Sequence, residues 1–330
     1  MEVSAIVQRN RIDNTLRSGI ELRLRYAPKD IRYRLVEEFP KLGPEFNDYV
    51  INSKTVLKWV LKLLGEPILS LRLTGIVHSF FLNAYLPRGP WVQELDQPLS
   101  NVFSDYLKIG SLRERVIELM KDVFNMRGTT VIGWTNWCAK GLREEGIKRV
   151  EVLPPPITPT PKEISNKTIA YIGVDYERKG GDIAEAVFER LPGNVRKVFV
   201  GNTPRERDGV EYVEKLPHSK IIELLRDVDL LIFPSRKEAY GITVLEAMSM
   251  GIPVVTSDYG PLPEVASNNL KCSTDDIGCF INYSKELLYS EDFRTSVSKK
   301  EIEVVTSRNS PEILGSKLKR IYQDIESKSG

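Results

Sequence analysis

Two glutamates eight residues apart are the first candidates for chemistry in this sequence. Glu238 and Glu246 lie in the run FPSRKEAYGITVLEAMSMGIPVV (233–255). This run predicts a strand, a loop that carries Glu238, a tight turn at Gly241 and a helix that begins near Thr243. The N–H groups at such a helix start form an anion site. Glu246, one turn into the helix, is suited to accept hydrogen bonds from sugar or ribose hydroxyls rather than to bind phosphate.

Each of these glutamates also has a structural interpretation. Thr243-x-x-Glu246 has the form of a capping box, which begins a helix and needs no ligand. Glu238, taken alone, is typical of a solvated loop charge. At the level of these residues both alternatives stay open.

A second loop of the same kind is YIGVDYERKGGD (171–182), which again predicts a strand, a loop and a helix. Arg178 and Lys179 stand just before two glycines and a helix that begins at Asp182. Two cations beside a helix start suit a diphosphate, because a guanidinium binds it in bidentate fashion and an ammonium acts as a mobile point charge. The alternative is a solvated basic turn. That alternative is less favoured once two phosphate-competent loops are predicted at the same edge of one sheet.

Buried strands and helices alternate in the second half of the chain. The strands are predicted at 168–173, 195–201, 228–235 and 252–258, and the helices at 182–191, 220–226 and 243–250. This alternation predicts a doubly wound parallel sheet, whose ligands bind in the loops at the carboxyl ends of the strands.

The first half predicts a second α/β domain. Its strands are expected at 3–7, 75–80, 90–95 and 129–134, and its helices at 54–64, 112–124 and 137–145. A final amphipathic helix is expected at 311–328.

The proline-rich run LPPPITPTPK (153–162) marks the boundary between the two halves, because proline fixes φ and removes N–H donors. We predict an N-terminal domain at 1–155, a C-terminal domain at 163–310 and a C-terminal helix at 311–330 that packs back toward the N-terminal domain.

Composition limits the possible functions. The 330 residues carry 47 Lys plus Arg against 45 Asp plus Glu, and this balance disfavours a dedicated nucleic-acid binder. Residues 1–160 hold 23 basic and 18 acidic residues, so that half is basic.

Three cysteines exclude a disulfide framework as the main source of stability. We expect buried free thiols, with a pair between Cys272 and Cys279 as the alternative.

Three segments resemble the retaining glycosyltransferases of family 4, which have the GT-B fold. The E-x7-E element Glu238…Glu246 with its surroundings resembles the donor-binding motif of that family, and GVDYERKGG (173–181) resembles its diphosphate loop. The segment VIGWTNWCAKGLREEGIKRVEVLPPPI (131–157) resembles the end of the family's first domain and its linker. The resemblance covers about residues 130–266 and is loose over the first 125.

The resemblance implies a role for each matching position. Glu246 would hydrogen-bond the ribose of a nucleotide-sugar donor, and Glu238 would lie against the hydroxyls of the donor sugar. Lys179 would neutralise the leaving phosphates. The other donor-binding positions are Gly173 and Arg178 in the diphosphate loop, Leu216 near the nucleobase, and the backbone amides of Tyr240, Gly241, Ile242 and Thr243.

The diphosphate loop departs from the family pattern. The family often has a Gly-Arg pair where this chain has Gly173-Val174. Arg178 is the expected substitute.

The first domain departs further. A glycine-rich loop is replaced by QRNRIDNTLRSG (8–19), with Gly19 alone, and Asp96 or Glu94 stands where the family has a histidine. An acidic residue there would accept or orient the proton of the acceptor, and a cap for the following segment is the alternative.

We assign catalysis to Glu238, Lys179 and Asp96. His78 is a further candidate for the histidine role, although a core or cleft-lining position is favoured. His218 is expected to be a surface cap.

The predicted fold is therefore GT-B, with two Rossmann-like doubly wound α/β domains that face each other across a cleft. The predicted reaction moves a hexose from an NDP-sugar, UDP- or GDP-linked, to a hydroxyl acceptor with retention. The acceptor is a glycan or a lipid-linked saccharide, and no metal or other cofactor is implied. Two alternatives remain: a nucleotide-sugar 2-epimerase of the same fold, and a non-catalytic nucleotide-sugar binding protein or partner subunit.

No signal peptide opens the sequence, and no apolar stretch reaches the length of about 18 residues that spans a bilayer. We expect a cytoplasmic protein. Its Arg-rich opening also allows a peripheral contact with anionic lipid at the inner membrane face. A solvated or acceptor-phosphate-facing surface is the favoured alternative.

Overall fold

The computed structural model describes residues 1–10, 14–37, 73, 75–81, 89–107, 113–164, 168–266 and 270–328. Its contacts divide the chain into two units. The first unit comprises Met1–Pro156 and Pro311–Gly330, and the second unit comprises Ile157–Ser310. The predicted helix at 54–64 lies outside the described residues.

The first unit contains a parallel sheet of six described strands. These are β1 (Glu2–Val7), β2 (Arg32–Glu37), β3 (Ile76–Phe80), β4 (Trp91–Leu95), β5 (Thr129–Gly133) and β6 (Val150–Val152). Their order is β2-β1-β3-β4-β5-β6, and every neighbouring pair is parallel. The winding therefore reverses between β1 and β3, which is a topological switch point of the kind where doubly wound sheets bind ligands.

Helices and a π-helical segment accompany this sheet. They are α1 (Ser18–Arg25), α2 (Leu99–Asn101), which continues into the π-helical Val102–Leu107, α3 (Arg113–Phe124) and α4 (Asn136–Glu144). The hydroxyl of Thr135 caps α4 by accepting the N–H of Cys138 at 3.0 Å. The apolar faces of these elements form a core whose largest buried side chains include Trp91, Phe103 and Phe124.

The second unit also contains six parallel strands. They are β7 (Thr168–Ile172), β8 (Arg196–Val200), β9 (Glu211–Val213), β10 (Leu230–Phe233), β11 (Val254–Ser257) and β12 (Lys271–Cys272). Their order is β12-β11-β10-β7-β8-β9. Since β7 and β10 are adjacent, the winding reverses between them, as in a dinucleotide-binding sheet. The loops that follow β7 and β10 are the two loops selected from the sequence.

Seven helices of the second unit are described. They are α5 (Tyr176–Lys179), α6 (Gly181–Glu189), α7 (His218–Leu225), α8 (Ile242–Ser249), α9 (Leu262–Val265), α10 (Ile277–Tyr289) and α11 (Glu291–Arg308). Phe188, Phe199, Phe280 and Leu287 are buried in the core beneath the sheet. The predicted doubly wound α/β architecture is confirmed. The elements that were not predicted are β2, β6, β9, β12, α1, α2, α5, α9, α10 and α11.

The proline-rich segment 153–162 contains no helix or strand. In the first unit, the N–H of Leu153 donates to the carbonyl of Gly133 at 3.0 Å. In the second unit, the N–H of Thr160 donates to the carbonyl of Ser249 at 2.7 Å. The end of this segment therefore runs beside the C-terminus of α8.

The last helix, α12 (Pro311–Ser327), returns to the first unit. It buries one face, which includes Leu318, Tyr322 and Ile325. The ammonium of Lys317 donates to the carbonyl of Val152 at 2.8 Å, so the helix is tied to the sheet edge. Among the described residues, no helix is both long enough and apolar enough to cross a membrane.

The expectation of free thiols was wrong for two of the three cysteines. Cys272 and Cys279 form a disulfide, with their Cα atoms 5.6 Å apart. Cys272 ends β12 and Cys279 lies in the first turn of α10, so a tight turn brings them together. Cys138 is buried and is not in a disulfide.

One glycine of the first unit is fixed by packing rather than by backbone conformation. Gly19 lies in α1, and a Cβ at this position would be 2.1 Å from the indole of Trp134. Gly19→Ala should therefore lower the free energy of unfolding by about 1–2 kcal/mol, because overpacking outweighs the gain in helix propensity of about 1 kcal/mol. Urea unfolding measures this loss. Gly89→Ala is the control, since its Cβ would meet only ordinary contacts; equal behaviour of the two variants would contradict the packing explanation.

Candidate functional site

The loops after β7 and β10 run against each other at the switch point of the second unit. Gly180 has φ +73°, and a Cβ there would be 2.2 Å from the carbonyl oxygen of Pro234. The N–H of Arg236 donates to the carbonyl of Arg178 at 2.9 Å. The two predicted phosphate-competent loops are therefore joined backbone to backbone.

This contact brings together two of the residues to which we assigned catalysis. The ammonium of Lys179 and the carboxylate of Glu238 form an ion pair, and their side chains are 17% and 10% exposed. Glu238 also accepts the N–H of Ala239 at 3.0 Å. The ammonium of Lys179 lies 5.1 Å from the centre of the Phe233 ring. Glu238 is thus a paired and largely buried carboxylate, and its interpretation as a solvated loop charge was wrong.

The helix that carries Glu246 begins without a capping box. Its N-cap is Gly241, at φ +96°, and no side chain caps it. Thr243 is the second residue of α8, so it does not occupy the position that a capping box requires. This structural interpretation of Glu246 was therefore wrong. The first N–H groups of α8 have no carbonyl partner within the helix, as at any helix start, and Ile242 and Thr243 are partly exposed there.

Glu246 is held by a histidine. The side chain of Glu246 is 2% exposed, and its Oε1 lies 2.5 Å from Nε2 of His218. His218 opens α7, and Leu216 precedes it by two residues in the loop after β9, where it is partly exposed. The expectation that His218 is a surface cap was wrong, since its side chain is 20% exposed and is bonded to a buried carboxylate.

The other residues that were predicted to bind the nucleotide-sugar donor lie within these loops and pack or hydrogen-bond against the loop backbone. A Cβ on Gly173 would be 2.5 Å from the hydroxyl of Tyr171 and 2.7 Å from Cβ of Lys179. Arg178 donates to Asp175 at 3.0 Å and to the carbonyl of Lys237 at 3.1 Å. The side chain of Tyr240 is buried, which leaves its backbone as the part that would meet a ligand.

Arg236 is a residue of this site that the sequence did not single out. Its guanidinium pairs with Asp182 and Asp275 and donates to the carbonyl of Glu177 at 2.7 Å. The hydrogen bond to Asp182 is the main cause that raises the pKa of Arg236 above its ordinary value. Its position two residues before Glu238 was the only signal in the sequence.

In the first unit, Glu94 is completely buried and surrounded by donors. Arg23 donates to its two oxygens at 2.7 and 3.2 Å, and Trp134 donates at 2.5 Å. Nε2 of His78 lies 3.0 Å from Oε1. Burial alone would raise the pKa of Glu94, but the Arg23 charge and the His78 hydrogen bond outweigh it and bring this pKa to about 2. Glu94 is therefore a structural carboxylate.

His78 continues this network toward the C-terminal helix. It is fully buried, and its Nδ1 bonds to the hydroxyl of Tyr322, which lies 2.7 Å from the hydroxyl of Tyr33. Since a carboxylate only accepts, Nε2 carries the proton toward Glu94 and Nδ1 accepts from Tyr322. Burial is the main cause that lowers the pKa of His78, so the ring is held neutral.

Asp96 lies directly after β4 and is partly exposed. It therefore differs from Glu94 and His78, which have no solvent-exposed surface.

Within the described ranges, no group of three His, Cys, Asp or Glu side chains is placed to hold a metal ion.

Comparison with known proteins places the second unit in a family. Residues 159–303 match the model described as glycosyl transferases group 1. The second unit is a glycosyltransferase group 1 domain. This domain contains every predicted donor-binding residue.

Two curated relatives are similar over part of the chain. The N-acetyl-alpha-D-glucosaminyl L-malate synthase of Bacillus anthracis is 29% identical over 108 residues, which cover 32% of this chain and 28% of the relative. The phosphatidylinositol N-acetylglucosaminyltransferase gpi3 subunit of Schizosaccharomyces pombe is 28% identical over 145 residues, with coverages of 37% and 32%. The chain thus spans about a third or less of the length of these relatives.

A solved structure matches over nearly the whole chain. Alr3699/HepE of Anabaena, solved in complex with UDP and glucose, has a TM-score of 0.72 at 12% identity. The match covers 98% of this chain and 100% of that one. The likeness shows the fold, and the predicted GT-B fold, with a parallel α/β sheet in each unit, is confirmed.

The neutral His78 predicts that the protein loses stability in acid. An unfolded histidine binds a proton below about pH 6.5, whereas the lowered pKa keeps His78 unprotonated when folded. The unfolded state then binds more protons, so stability falls below about pH 6.5 by up to about 1.4 kcal/mol per pH unit, until the pH reaches the folded-state pKa. Below about pH 4.5, Glu94 should add a further loss, down to its pKa of about 2.

Urea unfolding between pH 7 and pH 5 measures this slope. His78→Gln should be less stable at pH 7 but should lose much of the slope. The chain has only one other histidine, so His218→Gln is the matched control and should retain the contribution of His78. An unchanged slope in His78→Gln would show that His78 is not the group responsible.

Proposed function

We propose that this protein is a retaining glycosyltransferase that moves a hexose from an NDP-sugar to a hydroxyl acceptor without a metal ion. One observation carries the proposal. The pairs Lys179–Glu238 and His218–Glu246 lie around the switch point of a glycosyltransferase group 1 domain.

The donor would bind in the loops after β7, β9 and β10. The first N–H groups of α8 and the ammonium of Lys179 would hold the diphosphate. Glu246 would accept hydrogen bonds from the ribose, which suits a carboxylate already fixed by His218. Glu238 would accept hydrogen bonds from the sugar, and Leu216 would lie near the nucleobase.

In the proposed reaction, the acceptor oxygen forms a bond to the anomeric carbon of the sugar as the bond from that carbon to the diphosphate oxygen breaks. Attack from the face of the leaving group retains the configuration, and the departing diphosphate takes the proton of the acceptor. Negative charge develops on the diphosphate. Lys179 and the α8 amides would stabilise this charge in a partly desolvated site, where such interactions contribute most.

The nucleotide is proposed to be UDP or GDP, and the solved structure of Alr3699/HepE in complex with UDP and glucose supports the first choice. The acceptor is proposed to bind the first unit, with Asp96 as the group that orients its hydroxyl, because Glu94 and His78 are buried and lie against each other. A lipid-linked acceptor agrees with the phosphatidylinositol named in one relative. The basic first half would then contact anionic lipid.

The proposed role of Glu246 in ribose binding is tested by Glu246→Gln. Loss of the carboxylate charge should weaken UDP or GDP binding about tenfold, since hydrogen bonds to charged groups contribute about 1.5–3 kcal/mol. Isothermal titration calorimetry measures the dissociation constant. Glu286→Gln, at an exposed position of α10, is the matched control. If neither nucleotide binds the wild type, or if Glu246→Gln binds as tightly, the donor assignment is wrong.

The proposed role of Lys179 concerns the chemical step. Lys179→Met should lower kcat about 10²–10³-fold, because it removes a charge that stabilises the leaving group. Release of nucleoside diphosphate from the NDP-sugar, with an acceptor panel, measures the rate. Lys285→Met, on the exposed face of α10, should retain activity.

The same assay separates the alternative functions. An epimerase would convert the donor without any acceptor, and a non-catalytic binder would bind the donor without turnover across the panel. Turnover that requires an acceptor supports the transferase, whereas an unchanged kcat in Lys179→Met would contradict the role of this lysine.

A further inference from the structure

Arg236 bridges three segments of the second unit through one guanidinium. Asp182, in the first turn of α6, receives two hydrogen bonds at 2.8 and 2.7 Å. Asp275, in the turn between β12 and α10, receives one at 2.6 Å, and the carbonyl of Glu177 receives one at 2.7 Å. A guanidinium has its donors in a fixed plane, so it sets the relative positions of its partners in a way that an ammonium does not.

This bridge lies inside the pair of loops that carry Lys179 and Glu238. Arg236 is two residues before Glu238, and its N–H donates to the carbonyl of Arg178 at 2.9 Å. Arg178 in turn donates to the carbonyl of Lys237 at 3.1 Å. Arg236 and Arg178, which precede Glu238 and Lys179 in the chain, thus join the two loops by two hydrogen bonds beside the Lys179–Glu238 pair.

The Asp275 end of the bridge is held by the disulfide. Asp275 lies within the loop closed by Cys272 and Cys279, at φ +70°, a conformation that residues other than glycine rarely adopt. The closed loop restricts the backbone around Asp275. Its neighbour Asp276 caps α10 by accepting the N–H of Cys279 at 3.0 Å. The turn that presents Asp275 to Arg236 is therefore closed covalently and anchored to a helix start.

We propose that Arg236 is a positioning residue for donor binding, and that the Cys272–Cys279 disulfide strengthens its effect by holding Asp275. The proposal rests on the donor site proposed above. Arg236 touches no reacting atom in it; it acts through the loops that carry Lys179 and Glu238.

The disulfide makes this positioning sensitive to reduction. A dithiol reductant supplies two electrons and two protons, the S–S bond becomes two thiols, and the reductant becomes a disulfide. Cys279 is partly exposed, so the bond is within reach of a small dithiol. Reduction opens the loop around Asp275. The pair between Arg236 and Asp182 lies outside this loop and does not depend on the disulfide. We therefore expect reduction to reproduce the loss of Asp275 and not the loss of Arg236.

Two readouts test the proposal in the whole 330-residue chain: UDP and GDP affinity by calorimetry, and amide hydrogen exchange of peptides covering 173–181 and 234–241. Arg236→Gln should weaken nucleotide binding about tenfold and speed exchange in both peptides. Arg236→Lys should lie between this variant and the wild type. Arg196→Gln, which removes an exposed pair between Arg196 and Glu211 in the same unit, is the matched control.

Asp275→Asn and treatment with dithiothreitol should each give a smaller change of about threefold in affinity. The effects of the substitution and of the reductant on affinity should not add, so dithiothreitol should have no further effect on Asp275→Asn. It should also have no effect on the double variant Cys272→Ser/Cys279→Ser. Alkylation before and after reduction checks that the disulfide is present and is removed.

The outcomes separate this inference from the proposed function. If the wild type binds neither nucleotide, the donor site is wrong, and exchange in the two peptides still decides whether Arg236 orders the loops. If the wild type binds and Arg236→Gln binds equally well with unchanged exchange, the positioning role is wrong. Equal responses of wild type and Asp275→Asn to dithiothreitol would overturn the contribution of the disulfide.

Discussion

The site in the second unit depends on one close approach between two backbones. At Gly180 the loop after β7 comes so near to Pro234 that a Cβ would lie 2.2 Å from its carbonyl oxygen. Any other residue at this position would push the loop away from the one that follows β10. Gly180 also ends α5 and caps α6 in a left-handed conformation. Lys179 precedes this glycine and Glu238 follows Pro234, so the two charged groups meet because the two backbones meet.

Glu94 in the first unit and Glu238 in the second unit differ in how their charge is compensated. In the first unit, Glu94 receives hydrogen bonds from Arg23 and Trp134, lies beside His78 and has no exposed surface. Removing one partner from such a cluster leaves a buried charge uncompensated, which costs about 3–5 kcal/mol, so this network is suited to hold the fold. In the second unit, Glu238 pairs with one partly exposed lysine. Replacing one partner of this pair by a ligand group therefore costs much less free energy than removing a partner of Glu94.

The two loops could be predicted from the sequence because their signals are local. A glycine at a sharp turn, a strand before it and a helix after it are all read within about ten residues of the chain. The missed strands depend on distant partners instead. β9 and β12 have three and two residues, and each is a strand only because a neighbouring strand pairs with it. β2 carries exposed arginines at positions 32 and 34, so its pattern resembled a solvated segment. The Arg236 bridge was missed for the same reason, since Asp182 and Asp275 are 54 and 39 residues away from it in the chain.

The sequence alone cannot decide whether Glu94 or Asp96 is the better candidate for a role with the acceptor. They are two residues apart, and in a strand that spacing places both on the same face, so neither type nor periodicity distinguishes them. The structure separates them by their surroundings. Glu94 is the last charged residue within β4 and is saturated by donors, one of which, Arg23, lies 71 residues away in the chain. Asp96 is the first residue beyond the strand and retains exposed surface. A carboxylate whose acceptor capacity is already used cannot also take a proton from a substrate, so the role in orienting the acceptor hydroxyl is proposed for Asp96 and not for Glu94.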